Sequence, residues 1–299
     1  MLSLARSPLA PVLGQRVPLR GPARMLFNSY ARTRHHPRTS VTRVTTAVGD
    51  IFDADLSSTL EWQLWAFGCY EKHLAELFAY LVRPGDRCVD VGANVGVHTV
   101  RLARLVGASG EVIAIEPDPD AVRRTNRNIA LNGVANVRVV AAAASERAGQ
   151  TGLFRPGPQD TSRARPSLLH HPHLTGTATA VPVVTVDDVC DGEPVSLIKI
   201  DAEGHEAAVV RGAARTIRKF APSVVFEYVP EPLEDPVAQT PFGWLADSGY
   251  RMFRLRPARH GITGRVRLAL DRLNETPAVG GDFLAVSPLA ARRLPPVSA

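Results

Sequence analysis

The segment CVDVGANVGVHTV, Cys88 to Val100, constrains the fold more than any other part of the chain. A short apolar run ends in Gly92, Asn94 and Gly96, and Thr99, Val100, Ala103 and Val106 then recur at helical spacing. The period changes there from that of a buried strand to that of an amphipathic helix, so the segment reads as strand, tight turn, helix. A buried strand feeding straight into a helix belongs in a parallel sheet covered on both faces. Ligands of such sheets bind beyond the carboxyl ends of the strands, where the winding reverses. The turn is therefore the first candidate site.

The rest of the chain fits that reading. VGDIFDADL (Val48 to Leu56) reads as a hairpin or edge strand, with ordered structure expected from about Val44. Leu74, Leu77, Phe78 and Leu81 fall on one face of a helix. EVIAIEPD is the second strand, a helix ends at LNG (Leu131 to Gly133), and VRVVAAAAS (Val137 to Ser145) is the third strand. GQTGLF and AVPVVTV read as extra edge strands around a polar stretch, 155–180, expected to cover the substrate. VSLIKID, a helix from about Glu206 to Phe220, SVVFEY and the helix PFGWLADSGY resume the alternation. YRMFRL and DFLAVS close the domain, with an antiparallel pair expected.

The net charge of +6 conceals an asymmetry: residues 1–49 hold eight arginines and no acid, +8, which leaves −2 for the remainder. That balance argues against a nucleic-acid-binding body. Residues 1–43 are expected to be a disordered Arg-rich extension, 44–290 the domain, and 291–299 a tail. Cys69, Cys88 and Cys190 form no CxxC pair, which points to a reducing cytoplasm. No apolar run reaches the roughly 20 residues of a membrane helix.

Glu116, at the end of the second strand, can accept two hydrogen bonds from a ribose diol, so a nucleoside cofactor fits. The turn reads GxNxG and lacks the middle glycine of the dinucleotide fingerprint GxGxxG. A side chain at Asn94 crowds a pyrophosphate but suits S-adenosylmethionine, which has none. IKIDAEGHE (Ile198 to Glu206) places Asp201, Glu203, His205 and Glu206 at the mouth of the fourth strand. Such a concentration of charge costs desolvation and marks a functional place.

VDVGANVGVHT, IEPDP, TVDDV, SLIKIDAEGHE and RGA, in this order, resemble the FkbM-type methyltransferases, with GCYEKH ahead and FGWLADSGYRMF behind. The resemblance implies a Rossmann-like class I methyltransferase: an α/β fold with a mostly parallel sheet, a C-terminal antiparallel strand and helices on both faces. It also implies S-adenosylmethionine as donor and O-methylation of a sugar, glycolipid or polyketide hydroxyl, a small-molecule or glycan acceptor. Carried onto this chain, Gly92, Asn94 and Gly96 line the methionine end of the donor, Glu116 holds its ribose, and Ala142 and Ala143 lie near the adenine. Family members often carry a larger or polar residue at that adenine position. Asp90 and His98 join this set, and Glu71 helps to hold the amino-acid end.

An alcohol acceptor must lose a proton, and the candidates to take it are His205 and Asp201, then Glu203. A blander reading makes His205 a helix-terminal residue bonded to its loop and His98 a packed residue of the first helical turn. Asp90 then only fixes the turn, and Glu203 and Glu206 are ordinary first-turn acids. Asp201, Glu203 and Glu227 offer oxygen ligands to Mg²⁺, but no spacing rule singles them out, so no metal site is assigned. HHPH (His170 to His173) reads as a solvated loop; Arg163, Arg165 and Ser167 are candidates to touch the acceptor, and Trp62, Trp65 and Trp244 read as core. Two other classes stay open: a nicotinamide-dependent oxidoreductase, and a catalytically silent S-adenosylmethionine-binding module.

Overall fold

A computed structural model describes residues 41–154, 168, 178–230, 240–260, 265–288 and 290–294. The basic segment 1–40, the HHPH cluster, and Arg163, Arg165 and Ser167 lie outside the described residues. The described chain opens with an antiparallel hairpin, β1 (Val41–Thr45) and β2 (Ile51–Asp55), then helices α1 (Thr59–Phe67) and α2 (Lys72–Leu81). Next come β3 (Arg87–Val91), α3 (Val97–Val106), β4 (Glu111–Ile115), α4 (Pro119–Leu131) and β5 (Val137–Val140). A small separate sheet follows, from β6 (Ala143–Ala144), β7 (Gly149–Leu153) and β8 (Thr179–Val184). The chain continues through α5 (Val186–Cys190), β9 (Leu197–Ile200), α6 (Glu206–Gly212), α7 (Ala214–Phe220), β10 (Ser223–Tyr228) and α8 (Pro241–Asp247). It closes with β11 (Arg251–His260), β12 (Arg265–Leu273) and β13 (Gly281–Val286).

The main sheet has the order β12-β11-β13-β10-β9-β3-β4-β5. Strands β5, β4, β3, β9 and β10 run parallel, and β13 enters antiparallel between β10 and β11. The chain starts in the middle at β3, winds outward to β5, and returns to β9 on the other side of β3. The turns after β3 and β9 therefore meet at the switch point. Alternate strand residues build the two cores. Val89, Ile113, Ile198 and Val224 pack against Val186, Val209, Ile217 and Leu245. Cys88, Val112, Leu197 and Val225 pack against Leu77, Phe78, Leu102 and Val106. Helices thus cover both faces, as the strand patterning requires.

Several expectations change in detail. The lead-in hairpin spans Val41 to Asp55. The third strand ends at Val140; the chain then bends, and Ala143 and Ala144 pair with Val183 and Val184 in the small sheet. The two extra strands thus form their own sheet, not an edge of the main one. The helix from Glu206 to Phe220 breaks at Ala213, where Gly212 passes so close to the loop that a Cβ would lie 2.0 Å from the Ser145 carbonyl oxygen. Helix α5 starts because the Thr185 hydroxyl accepts from the Asp188 N–H. Strand β12 extends the antiparallel end beyond the expected pair.

The lead-in hairpin docks through two asparagines of α4 and its cap. Asn132 accepts from the Ile51 N–H (2.9 Å) and donates to the Ile51 carbonyl (2.6 Å), pairing with β2 as a strand would. Asn128 accepts from the Asp53 N–H (3.1 Å) and donates to the Val95 carbonyl (2.8 Å). Arg124 binds the buried Glu61 beside them. Replacing Asn132 with Ala leaves the Ile51 groups without partners in a partly buried place. We expect the Asn132→Ala variant to lose about 1–3 kcal/mol in chemical denaturation; an unchanged midpoint would show that the docking does not depend on it.

Candidate active site

The turn after β3 is shaped by its neighbour strand. Gly92 has φ +71°, and a Cβ there would lie 1.8 Å from the Asp201 carbonyl oxygen. Only glycine fits, and the reason is the adjoining loop of this protein, not the close approach of a ligand. Asn94 is also left-handed, at φ +50°; its N–H donates to Glu116 Oε2 (2.8 Å), and its carbonyl accepts from the Thr125 hydroxyl. Gly96, at φ +84°, opens helix α3. The turn is thereby tied to β9, β4 and α4 together.

A crevice opens beside this turn. Gly92, Asn94 and Glu116 form one side, Asp201 and Glu203 another. Apolar surface from Ile115, Ala143, Leu153 and Leu168 forms the remaining wall. Of the residues expected from the sequence, Gly92, Asn94, Glu116, Ala143, Asp201 and Glu203 line it. Ala142 is buried next to it. Gly96, Asp90, His98 and His205 are not among the residues that line it. Glu71 lines a smaller hollow with Lys199, Asp201, Glu227 and Asp282, so Asp201 is shared by both spaces.

The charges follow a pattern. The Glu116 carboxylate accepts from the N–H groups of Asn94 and Asp118, both at 2.8 Å. Burial still pushes it up to about 7. Glu206, also raised by burial to about 7, accepts from the Ala202 and Gly204 N–H groups and so closes the turn carrying Glu203. His205 Nε2 lies 2.8 Å from the Ser145 hydroxyl, and burial lowers its proton affinity. His98 bonds Glu71 (2.8 Å) and packs edge-on against Phe78. Burial works against the Glu71 charge, but His98 and Lys199 more than offset it and hold this carboxyl down at about 2. Asp90 accepts from the Thr99 hydroxyl (2.6 Å). Glu227 is raised to about 8, by burial first and then by Asp201 and Asp282. Among the described residues no group of three or more His, Cys, Asp or Glu side chains could hold a metal ion.

Lys199 and the apolar wall of Leu153 and Leu168 are site residues that the sequence reading missed. The signal for Lys199 was present: it is a lysine within the buried strand Leu197–Ile200, in a chain with only three lysines. Nothing marked the two leucines, which arrive from the small sheet and the stretch beyond it.

A parallel sheet wound both ways from β3, with an antiparallel strand inserted near its end and a carboxylate-lined crevice at the switch point, has the Rossmann-like architecture of S-adenosylmethionine-dependent methyltransferases. The chain belongs to the FkbM methyltransferase family, whose domain model matches residues 90–252. A protein of Jannaschia sp. (strain CCS1), provisionally described as a methyltransferase, is 26% identical over 246 residues, covering 74% of this chain and 85% of its own. Among solved structures, the FkbM methyltransferase of Methylobacillus flagellatus KT aligns at 18% identity and TM-score 0.39, over 70% of this chain and 49% of that longer one. An S-adenosylmethionine-dependent O-methyltransferase of Thermotoga maritima aligns at 16% identity and TM-score 0.42, over 83% of this chain and 77% of that one.

Glu116 and Glu206 make stability depend on pH. Each has an ordinary value of 4.5 and titrates near 7 when folded, so the folded state holds protons that the unfolded state releases. Their contribution is full below the ordinary value and is lost as pH rises through about 7. We expect Tm to fall between about pH 5 and pH 8, and to fall less in Glu116→Gln and Glu206→Gln. Parallel curves for all three proteins would contradict the assignment.

Proposed function

We propose that this methyltransferase transfers its methyl group to a hydroxyl of a sugar, glycolipid or polyketide-type natural product, and that the crevice receives the nucleoside end of the donor. The observation that carries this reading is the pairing of Glu116 and Asp201 across one glycine turn, facing a common crevice with an apolar wall. S-Adenosylmethionine, when bound, supplies a methyl group already activated on a sulfonium. Glu116 keeps acceptor lone pairs beyond its two backbone bonds and binds the ribose hydroxyls. Ala143, with Ala142 behind it, faces the adenine together with Leu153 and Leu168. The turn from Gly92 to Gly96 and Glu71 hold the amino-acid end; Asp90 and His98 brace them through Thr99 and Glu71.

An activated donor leaves the protein mainly positioning and proton transfer to supply. Asp201 faces both the crevice and the hollow, which suits it to take the acceptor proton, with Glu203 at the rim as the second candidate. His205, held by Ser145, reaches an acceptor only if that bond opens, so we rank it behind them. Cys88 and Cys190 are buried thiols, which fits the reducing cytoplasm. A role in secondary metabolism goes with the acceptor class.

Glu116→Ala tests the reading. Loss of a charge-assisted pair of hydrogen bonds is expected to weaken S-adenosylhomocysteine binding by roughly tenfold to several-hundredfold in calorimetry, with an unchanged circular dichroism spectrum. Near-equal affinity would remove the ribose assignment. Thermal stabilisation of the unaltered protein by NAD, and not by S-adenosylmethionine, would remove the donor assignment altogether.

A further inference from the structure

Lys199 stands in the centre of a strand whose other residues are Leu197, Ile198 and Ile200, and it is 4% exposed. A methionine would fill the same space without desolvating a charge, so packing does not account for it. Its ammonium lies 3.5 Å from Asp90 Oδ1, 3.4 Å from Asp201 Oδ2 and 3.5 Å from the Gly92 carbonyl oxygen. It thus joins the end of β3, the turn that follows, and the mouth of β9. Glu71, Tyr70 and Glu116 are the other titratable groups acting on it or acted on by it. Glu206 and Glu227 act on Asp201 from their own elements, and His98 answers Glu71.

The network is unbalanced. Asp90 and Asp201 flank one ammonium, and Glu71, itself bonded to His98, adds to their field, so the cluster is negative overall. That sign matters for a reaction in which the donor is a sulfonium cation and the spent cofactor a neutral thioether. A more negative mouth favours the cation over the thioether, and a less negative one narrows the difference. We propose that Lys199 is a specificity-determining residue: its buried ammonium, set between Asp90 and Asp201 beneath the Gly92 carbonyl, limits the negative charge of the mouth. It thereby sets how strongly the site prefers the charged donor over the product. The inference rests on the reading of the crevice as the donor site.

The preference is measured as the ratio of the Kd for S-adenosylhomocysteine to that for S-adenosylmethionine. Calorimetry supplies both constants for the full chain at one pH, with Tm recorded in parallel. Lys199→Met alone can leave Asp90 to take up a proton and mask the change, or fail to fold. The comparison is therefore made between Asp90→Asn and the double variant Asp90→Asn/Lys199→Met, in which residue 90 can neither ionise nor compensate. Asp90→Asn is expected to lower the ratio by about three- to thirtyfold, the range for one unit charge several ångströms away at an intermediate dielectric. Adding Lys199→Met is expected to raise it again by a similar factor. Equal ratios in the two variants, or equal weakening of both ligands, would reduce Lys199 to a structural residue and overturn the proposal. Failure of the unaltered protein to bind either ligand would instead overturn the donor assignment, and this inference with it.

Discussion

The backbone carbonyl of Asp201 occupies the place that a side chain at residue 92 would need. This one approach sets the rest of the site. It brings the ends of β3 and β9 together at the point where the sheet reverses its winding, and it fixes the turn that carries Asn94. From Asn94 the constraint passes to Glu116 through a backbone N–H and to Thr125 through a carbonyl. Strand ends that would otherwise be separate thus become a single connected floor.

Beneath that floor lies the least economical part of the molecule. Lys199, Asp90 and Asp201 form a charged network in a place where apolar side chains of the same volume would serve stability as well or better. The distances around the ammonium, 3.4 to 3.5 Å, are long for tight ion pairs. They describe a shared field more than three separate bonds. Glu206 follows the same rule on the neighbouring loop, where its buried carboxyl holds two backbone N–H groups and shapes the turn on which Glu203 is displayed.

The sequence carried the central architecture because each β3-to-α3 or β9-to-α6 transition changes the apolar period within a few residues. Gly92, Asn94, Glu116, Asp201 and Glu203 come to one crevice because they follow strand ends, where topology decides proximity. The atom that forbids a side chain at residue 92 could not be read, since it lies more than a hundred residues away in the chain. The break at Ala213 was out of reach for the same cause, and the end of β5 and the separate small sheet depend on pairing between distant segments and not on local periodicity. The partner of His205 could not be read either, because Ser145 follows β6, a two-residue strand with no period of its own.

The position of β13 has a consequence for what counts as this protein's domain. Residues 281–286 lie between the strands 223–228 and 251–260, bonded to both. The family model stops at residue 252, and it begins at 90, after the hairpin and after the helix that carries Leu77 and Phe78. The stretch by which the family is recognised is therefore narrower than the sheet and core that the described chain builds. Cut out alone, it would keep only the first two residues of β11 and would leave β10 without β13, its neighbour on that side.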